Sequence, residues 1–183
     1  MKAIEMRRWT REEYDRMIAA GVFAPGERLE LVEGEILQMP PQGSSRFTAI
    51  RLVEDALRGA FGAAFEVRAQ APLAISPDSE PEPDIAVVPA SARDYRNAHP
   101  ATALLVVEVA DSTLEYNRGR KGRLYARAGI GEYWIVNLID SCVEAYRDPE
   151  QQGYRSSHRF TAADQISPLA APEAKIAVAE ILR

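Results

Sequence analysis

With 183 residues, 46% of them apolar, the chain has enough hydrophobic material to close one ordinary core, and the expectation is a single domain spanning 1–183. A formal net charge of −5 argues against a protein that coats nucleic acid nonspecifically through excess positive charge; an enzyme that gathers carboxylates around a metal remains open, because a bound cation reverses the local sign that a phosphate meets. The lone Cys142 supplies no disulfide framework and has no Cys or His neighbours at metal-ligand spacing, so it reads as a half-buried strand thiol in a reducing compartment.

Taken in chain order, residues 1–15 contain no apolar h-region, and no later stretch approaches the ~20 apolar residues of a membrane span, so the expected location is the cytoplasm with no membrane involved. Thr10 and Glu13 have the spacing of a capping box, which predicts a short helix through Ile18 closed by Gly21. Residues 28–39 alternate on either side of Glu33-Gly34 and predict a β-hairpin. Beyond Pro40-Pro41, the residues Ile50, Val53, Leu57 and Phe61 recur at helical spacing with charged residues between them, the pattern of an amphipathic helix that packs on a sheet.

Residues 65–73 alternate as a strand, and the Pro-, Ser- and acid-rich stretch 76–83 is a loop that delivers the chain into Asp84-Ile-Ala-Val-Val. Residues 103–110 form a nearly unbroken apolar run, the mark of a central strand, interrupted by Glu108. Helical patterning returns over 113–128 and is stopped by Gly129; residues 132–138 and 142–146 give two more strands around an Ile139-Asp140-Ser141 turn. Residues 162–183 carry a weaker pattern, a loop with a short edge strand or helix. The predicted fold class is α/β (α+β): a mixed β-sheet flanked by helices, with an N-terminal helix and a β-hairpin.

Glu108 requires an explanation. An ionised carboxylate inside a buried strand is costly unless a cation or strong hydrogen bonds compensate it. An arginine, exposure at the strand end, or a metal shared with another carboxylate would each serve. Asp84 alone reads as a turn residue or strand cap. Across two adjacent strands entering from the same side, however, it pairs with Glu108 as a two-carboxylate site, and such oxygens with a strand carbonyl and water suit a hard divalent ion such as Mg2+. Lys121 lies on the helix that follows, where Asn117, Lys121 and Tyr125 share one face at i, i+4, i+8. An ammonium there would position or help deprotonate the attacking water and neutralise charge on a scissile phosphate. Its neighbours Arg118, Arg120, Arg123 and Arg127 read as a solvated helix face or, in a nuclease, as phosphate contacts.

Pro83-Asp84-Ile-Ala-Val-Val, Val107-Glu108-Val-Ala-Asp-Ser-Thr, and Lys121-x3-Tyr125-x3-Gly129-x2-Glu132-Tyr-Trp-Ile-Val, in that order, resemble the Uma-two family of endonuclease-like proteins within the PD-(D/E)XK superfamily. Leu29-Glu-Leu-Val-Glu-Gly-Glu-Ile and Met39-Pro-Pro extend the likeness over roughly residues 10–150. The resemblance implies a restriction-endonuclease-like fold and phosphodiester hydrolysis with Mg2+ (or Mn2+) held by Asp84, Glu108 and the Val109 carbonyl. It implies catalytic roles for Lys121 and for Glu30, which would hold a second ion or the water, and an assisting role for Gln70. It also implies a nucleic-acid partner, DNA, and a homodimer, since two related sites cut two strands most easily.

The chain departs from the family pattern at three positions. Ala110 stands where the superfamily lysine normally follows the acid, so Lys121 must act from the helix, as in this family. Asn117 stands where the family usually has an acid, and Arg46 where it often has a His; neither His99 nor His158 replaces it. The competing reading is a catalytically inactive nuclease-like domain serving as a DNA-binding module or dimeric scaffold. Convergence of Asp84 and Glu108 with Lys121 on the same side favours the enzyme; a Glu108 locked to an arginine favours the scaffold.

Overall fold

Both halves of the Thr10/Glu13 capping box form, the Glu13 N–H donating to the Thr10 hydroxyl and the Thr10 N–H to the Glu13 carboxylate, and they open helix α1 (Arg11–Ala19). The computed structural model describes residues 5–89 and 91–182. Strands β1 (Leu29–Val32) and β2 (Glu35–Gln38) pair antiparallel with Val32 opposite Glu35, leaving Glu33 and Gly34 as a two-residue turn with φ of 51° and 75°. Positive φ at both turn residues matches the twist of a tight hairpin. Gly34 is needed for a second reason, because a Cβ there would lie 2.7 Å from the Arg8 Cβ. The Tyr14 hydroxyl donates to the Leu29 carbonyl, and Leu31 and Glu80 exchange backbone hydrogen bonds, so the hairpin is tied both to α1 and to the loop that leads to Asp84.

Helix α2 (Ser44–Phe61) precedes a six-stranded sheet whose spatial order follows the sequence: β3 (Phe65–Ala69), β4 (Ile85–Pro89), β5 (Leu105–Ala110), β6 (Glu132–Asn137), β7 (Cys142–Glu150) and β8 (Gly153–Thr161). Neighbours are antiparallel except β5 and β6, which run parallel. A parallel pair needs a crossover connection. Here it is helical: α3 (Leu114–Tyr116), a π-wound stretch Asn117–Lys121, and α4 (Gly122–Arg127).

Strand alternation divides the core into two layers. Ile85, Val87, Leu105, Val107 and Val109 face the α2 stripe of Ile50, Val53, Leu57 and Phe61. Ala86, Val88, Val106 and Ala110 face the opposite layer with Tyr125, Tyr133 and Ile135. Glu108 shares the parity of Val106 and Ala110 and therefore points into the layer that carries α4. Both layers are closed, which is why β5 and β6 read as continuous apolar runs.

Strand β8 and the extension of β7 to Glu150 are not visible in the sequence pattern. β8 is an edge strand whose Arg155, Ser157, His158 and Arg159 are exposed, so it needs no apolar alternation and shows none. The C-terminal segment forms a two-residue ladder of β9 (Gln165–Ile166) with β10 (Ile176–Ala177), then α5 (Val178–Ile181). Ile166, Ile176, Val178 and Ile181 complete the α2-side core. Cys142 opens β7 and is fully buried rather than half-buried. Among the described residues no helix is long and apolar enough to cross a membrane.

Candidate active site

Asp84 ends the loop just before β4, and Glu108 lies near the end of β5. The two strands pair with Ile85 opposite Val107, and one step further along the same register sets Asp84 across from Glu108. The strands are antiparallel, so the expectation that both enter from the same side is corrected: the entry of β4 meets the exit of β5. Asp84 lies one residue before β4, and its carboxylate is placed by its contacts, the Val109 N–H next to Glu108 and Arg46 of α2. Asp84 and Glu108 are 1% and 2% exposed.

Glu108 is held by the crossover helix. Its Oε1 accepts from Lys121 Nζ at 2.9 Å and from the Tyr125 hydroxyl at 2.8 Å. The helix reaches it through the π turn, in which the Gly122 N–H bonds the Asn117 carbonyl. Such insertions recur where a helix must present a particular side chain. Lys121, the last residue of the π stretch, and Tyr125 both reach Glu108; Asn117, its first, turns its amide to Thr113 at 3.5 Å and does not join them. Lys121 is completely buried and is also clasped by Glu30 of β1, whose Oε1 accepts at 3.0 Å. Glu30 Oε2 lies 2.8 Å from the same nitrogen but makes no hydrogen bond.

Asp84 is held by Arg46 in the first turn of α2. One guanidinium nitrogen, Nη2, lies 3.1 Å and 2.9 Å from the two carboxylate oxygens, and Nε donates to the Val109 carbonyl at 3.0 Å. The Val109 N–H donates to Asp84 Oδ2 at 2.8 Å, which fixes the carboxylate's orientation. Arg46 shares the buried side of α2 with Ile50, Val53 and Leu57. That placement is the sequence signal for it: an arginine at i with apolar residues at i+4, i+7 and i+11 sits on the stripe that faces the core.

The buried group therefore holds three carboxylates (Glu30, Asp84, Glu108) against two side-chain cations (Arg46, Lys121), a formal excess of one negative charge. Burial and the adjacent Glu108 charge push the Asp84 carboxyl up, against Arg46 and the Val109 N–H. Burial alone would lower the Lys121 ammonium, but Glu108 and Glu30 outweigh it and raise its pKa, so Lys121 stays charged. Burial raises the Tyr116 phenol to about 12, against the nearby Lys121 charge and with Glu30 and Glu108 adding to the shift. Gln70 stands beside Asp84 with φ of 49°, its backbone N–H donating to the Asp84 carbonyl at 3.0 Å, while its buried Nε2 makes no hydrogen bond.

Most of the basic cluster on the crossover helix is committed to carboxylates. Arg118 binds Glu144, Arg120 binds Glu33 and Glu35, and Arg127 binds Glu33. Arg120 and Arg127 thereby strap the hairpin to the helix, which holds Glu30 against Lys121.

A family model described as "Putative restriction endonuclease", Uma2, matches residues 11–179. The chain belongs to the Uma2 family. Its fold is also that of a solved structure from Anabaena variabilis, described as a "putative nuclease belonging to DUF820", which it matches with a TM-score of 0.74 at 16% identity over 94% of this chain and 97% of that one. No protein of curated function matches the Uma2 chain.

Among the described residues, no three His, Cys, Asp or Glu side chains converge as a metal cage. A divalent ion in this Uma2 protein would rest on Asp84, Glu108 and the Val109 carbonyl with water, hard oxygen donors of the kind Mg2+ takes. The donor chemistry fits a cation, since Asp84 and the Val109 carbonyl together hold the Arg46 guanidinium.

Proposed function

We propose that this Uma2 protein is a Mg2+- or Mn2+-dependent endonuclease that hydrolyses phosphodiester bonds, with DNA as the substrate and a homodimer as the working form. The observation that carries the reading is the register that sets Asp84 across from Glu108 where β4 begins and β5 ends, with Lys121 on Glu108. Two buried carboxylates on neighbouring strands, with a lysine on one of them, support a cation site over a lone structural ion pair.

Asp84, Glu108 and the Val109 carbonyl would hold the ion, whose chemistry is to polarise a phosphate oxygen and make a bound water acidic. Lys121 remains an ammonium, so it acts as a donor that orients the attacking water and stabilises charge on the phosphate, not as the base. Glu30 keeps the ammonium aimed, and Tyr125 holds the shared Glu108 oxygen. One observation favours the inactive-scaffold reading: among the described residues Glu108 pairs with no arginine, but Asp84 is locked to Arg46.

The test is plasmid and oligonucleotide cleavage with Mg2+ or Mn2+, using the native chain, Asp84→Asn, Glu108→Gln and Lys121→Gln, each shown by circular dichroism to be folded. The expected result is loss of cleavage in the first two and a fall of roughly 10²–10³-fold in the third, the range for removing one charged donor at a developing negative charge. Equal cleavage by all four proteins sinks the mechanism.

A further inference from the structure

Resting on the metal-site reading above, we propose that Arg46 is a built-in competitor of the divalent ion: its guanidinium fills the cation position between Asp84 and the Val109 carbonyl, and metal uptake is its displacement. Arg46 is 5% exposed, and among the described residues Asp84 is its only ion-pair partner. It uses Nη2 on both carboxylate oxygens and Nε on the main-chain carbonyl, so one planar group spans the oxygens a hard cation would take. The Val109 N–H pins Asp84 Oδ2, and the carboxylate cannot turn away to serve a second cation elsewhere. The exchange is between cations on a fixed seat, because two positive charges at contact distance in a dry site repel strongly.

Arg46 lies in the first turn of α2, and a guanidinium that leaves Asp84 exchanges a buried partner for water and opens the seat. Nuclease chemistry in this chain is then governed by the divalent-ion concentration at which the swing occurs. A relative with a neutral side chain at that helix position would load metal without this competition.

The experiment is Mn2+ binding by isothermal calorimetry on the native chain, Arg46→Gln, and Arg46→Gln with Asp84→Asn. Arg46→Gln is expected to bind Mn2+ at least tenfold more tightly than the native chain, and the double variant to lose that gain. Equal or weaker binding by Arg46→Gln overturns the competition, and so does a gain that survives Asp84→Asn. Because no substrate is present, the outcome is independent of cleavage: competition can hold in a protein that cuts nothing, and cleavage can occur in one where Arg46 has no effect on affinity. If Arg46→Gln fails to fold, the native chain labelled with 15N-arginine decides the matter in a Mg2+ titration. The signal of the Nε–H that donates to the Val109 carbonyl is expected to be lost as Mg2+ binds; Mg2+ binding with that signal unchanged, or no Mg2+ uptake at all, overturns the proposal.

Discussion

Lys121 on the crossover helix and Glu30 on the N-terminal hairpin, 91 residues apart in the chain, meet with Nζ 2.8 Å from Oε2, both side chains closed off from solvent. The same ammonium holds Glu108, so a single buried charge ties hairpin, helix and central strand together. Lys121→Met leaves two carboxylates buried without their cation and is expected to cost about 3–5 kcal/mol, whereas Glu30→Gln, which removes charge but keeps an acceptor, costs less. Urea unfolding of both variants checks the order. A Lys121→Met protein as stable as the native chain would mean that water, and not the lysine, compensates these carboxylates.

Much of this arrangement is legible in the sequence, and the illegible parts have physical causes. The capping box, the Glu33-Gly34 turn and the α2 stripe are local patterns in which backbone chemistry dictates the result, and all three form. Glu108 announces itself because a carboxylate in an apolar strand has few explanations. The direction of β4 relative to β5 is not local, since a strand reads the same whichever way its neighbour runs. The π turn is likewise hidden: one added residue leaves composition unchanged, and Asn117 does not join Lys121 and Tyr125 at Glu108. Glu132, although part of the Glu-Tyr-Trp-Ile-Val motif, proves structural, its carboxylate taken by Trp134, Arg147 and the Leu169 N–H.

Acid stability should depend on Glu144. Burial alone would push its carboxyl up, but hydrogen bonds from Arg118, Tyr146 and Asn137 outweigh that and hold it at about 2. A folded pKa below the ordinary 4.5 means that the unfolded chain binds the proton first. The stabilisation is therefore present above about pH 4.5 and is lost as pH falls towards 2. Allowing for an Arg118 that is 35% exposed, the contribution is about 2 kcal/mol. Thermal melts between pH 2 and pH 6 should show a shallower acid limb for Glu144→Gln than for the native chain; parallel limbs would rule out this carboxylate as the source.

Gly34→Ala tests the hairpin turn. The variant must hold φ near 75° with a Cβ placed 2.7 Å from the Arg8 Cβ, and the expected loss is roughly 1–3 kcal/mol. The neighbouring Glu33→Gly, which relieves a non-glycine residue at φ 51° but removes the partner of Arg120 and Arg127, should be nearly neutral or mildly destabilising. Denaturant midpoints that rank the two variants the other way would show that the strap across to the helix outweighs turn geometry.

Tyr125 and Lys121 both donate to Glu108 Oε1, and their removal separates support from chemistry. Tyr125→Phe deletes a neutral donor in a packed layer where its ring still contacts Tyr133, so the cost is one buried hydrogen bond, about 1–2 kcal/mol. The ammonium stays on Glu108, and cleavage should fall by less than about tenfold, the factor equivalent to 1.36 kcal/mol of barrier. Lys121→Gln removes the charge itself, and the rate should fall by at least ten times more than in Tyr125→Phe if the lysine acts on the phosphate or the attacking water. Guanidinium unfolding and nicking rates measured on the same preparations distinguish the alternatives. Equal rate losses in the two variants would reduce Lys121 to a second support for Glu108, leaving the chemistry to the carboxylates and whatever cation they hold.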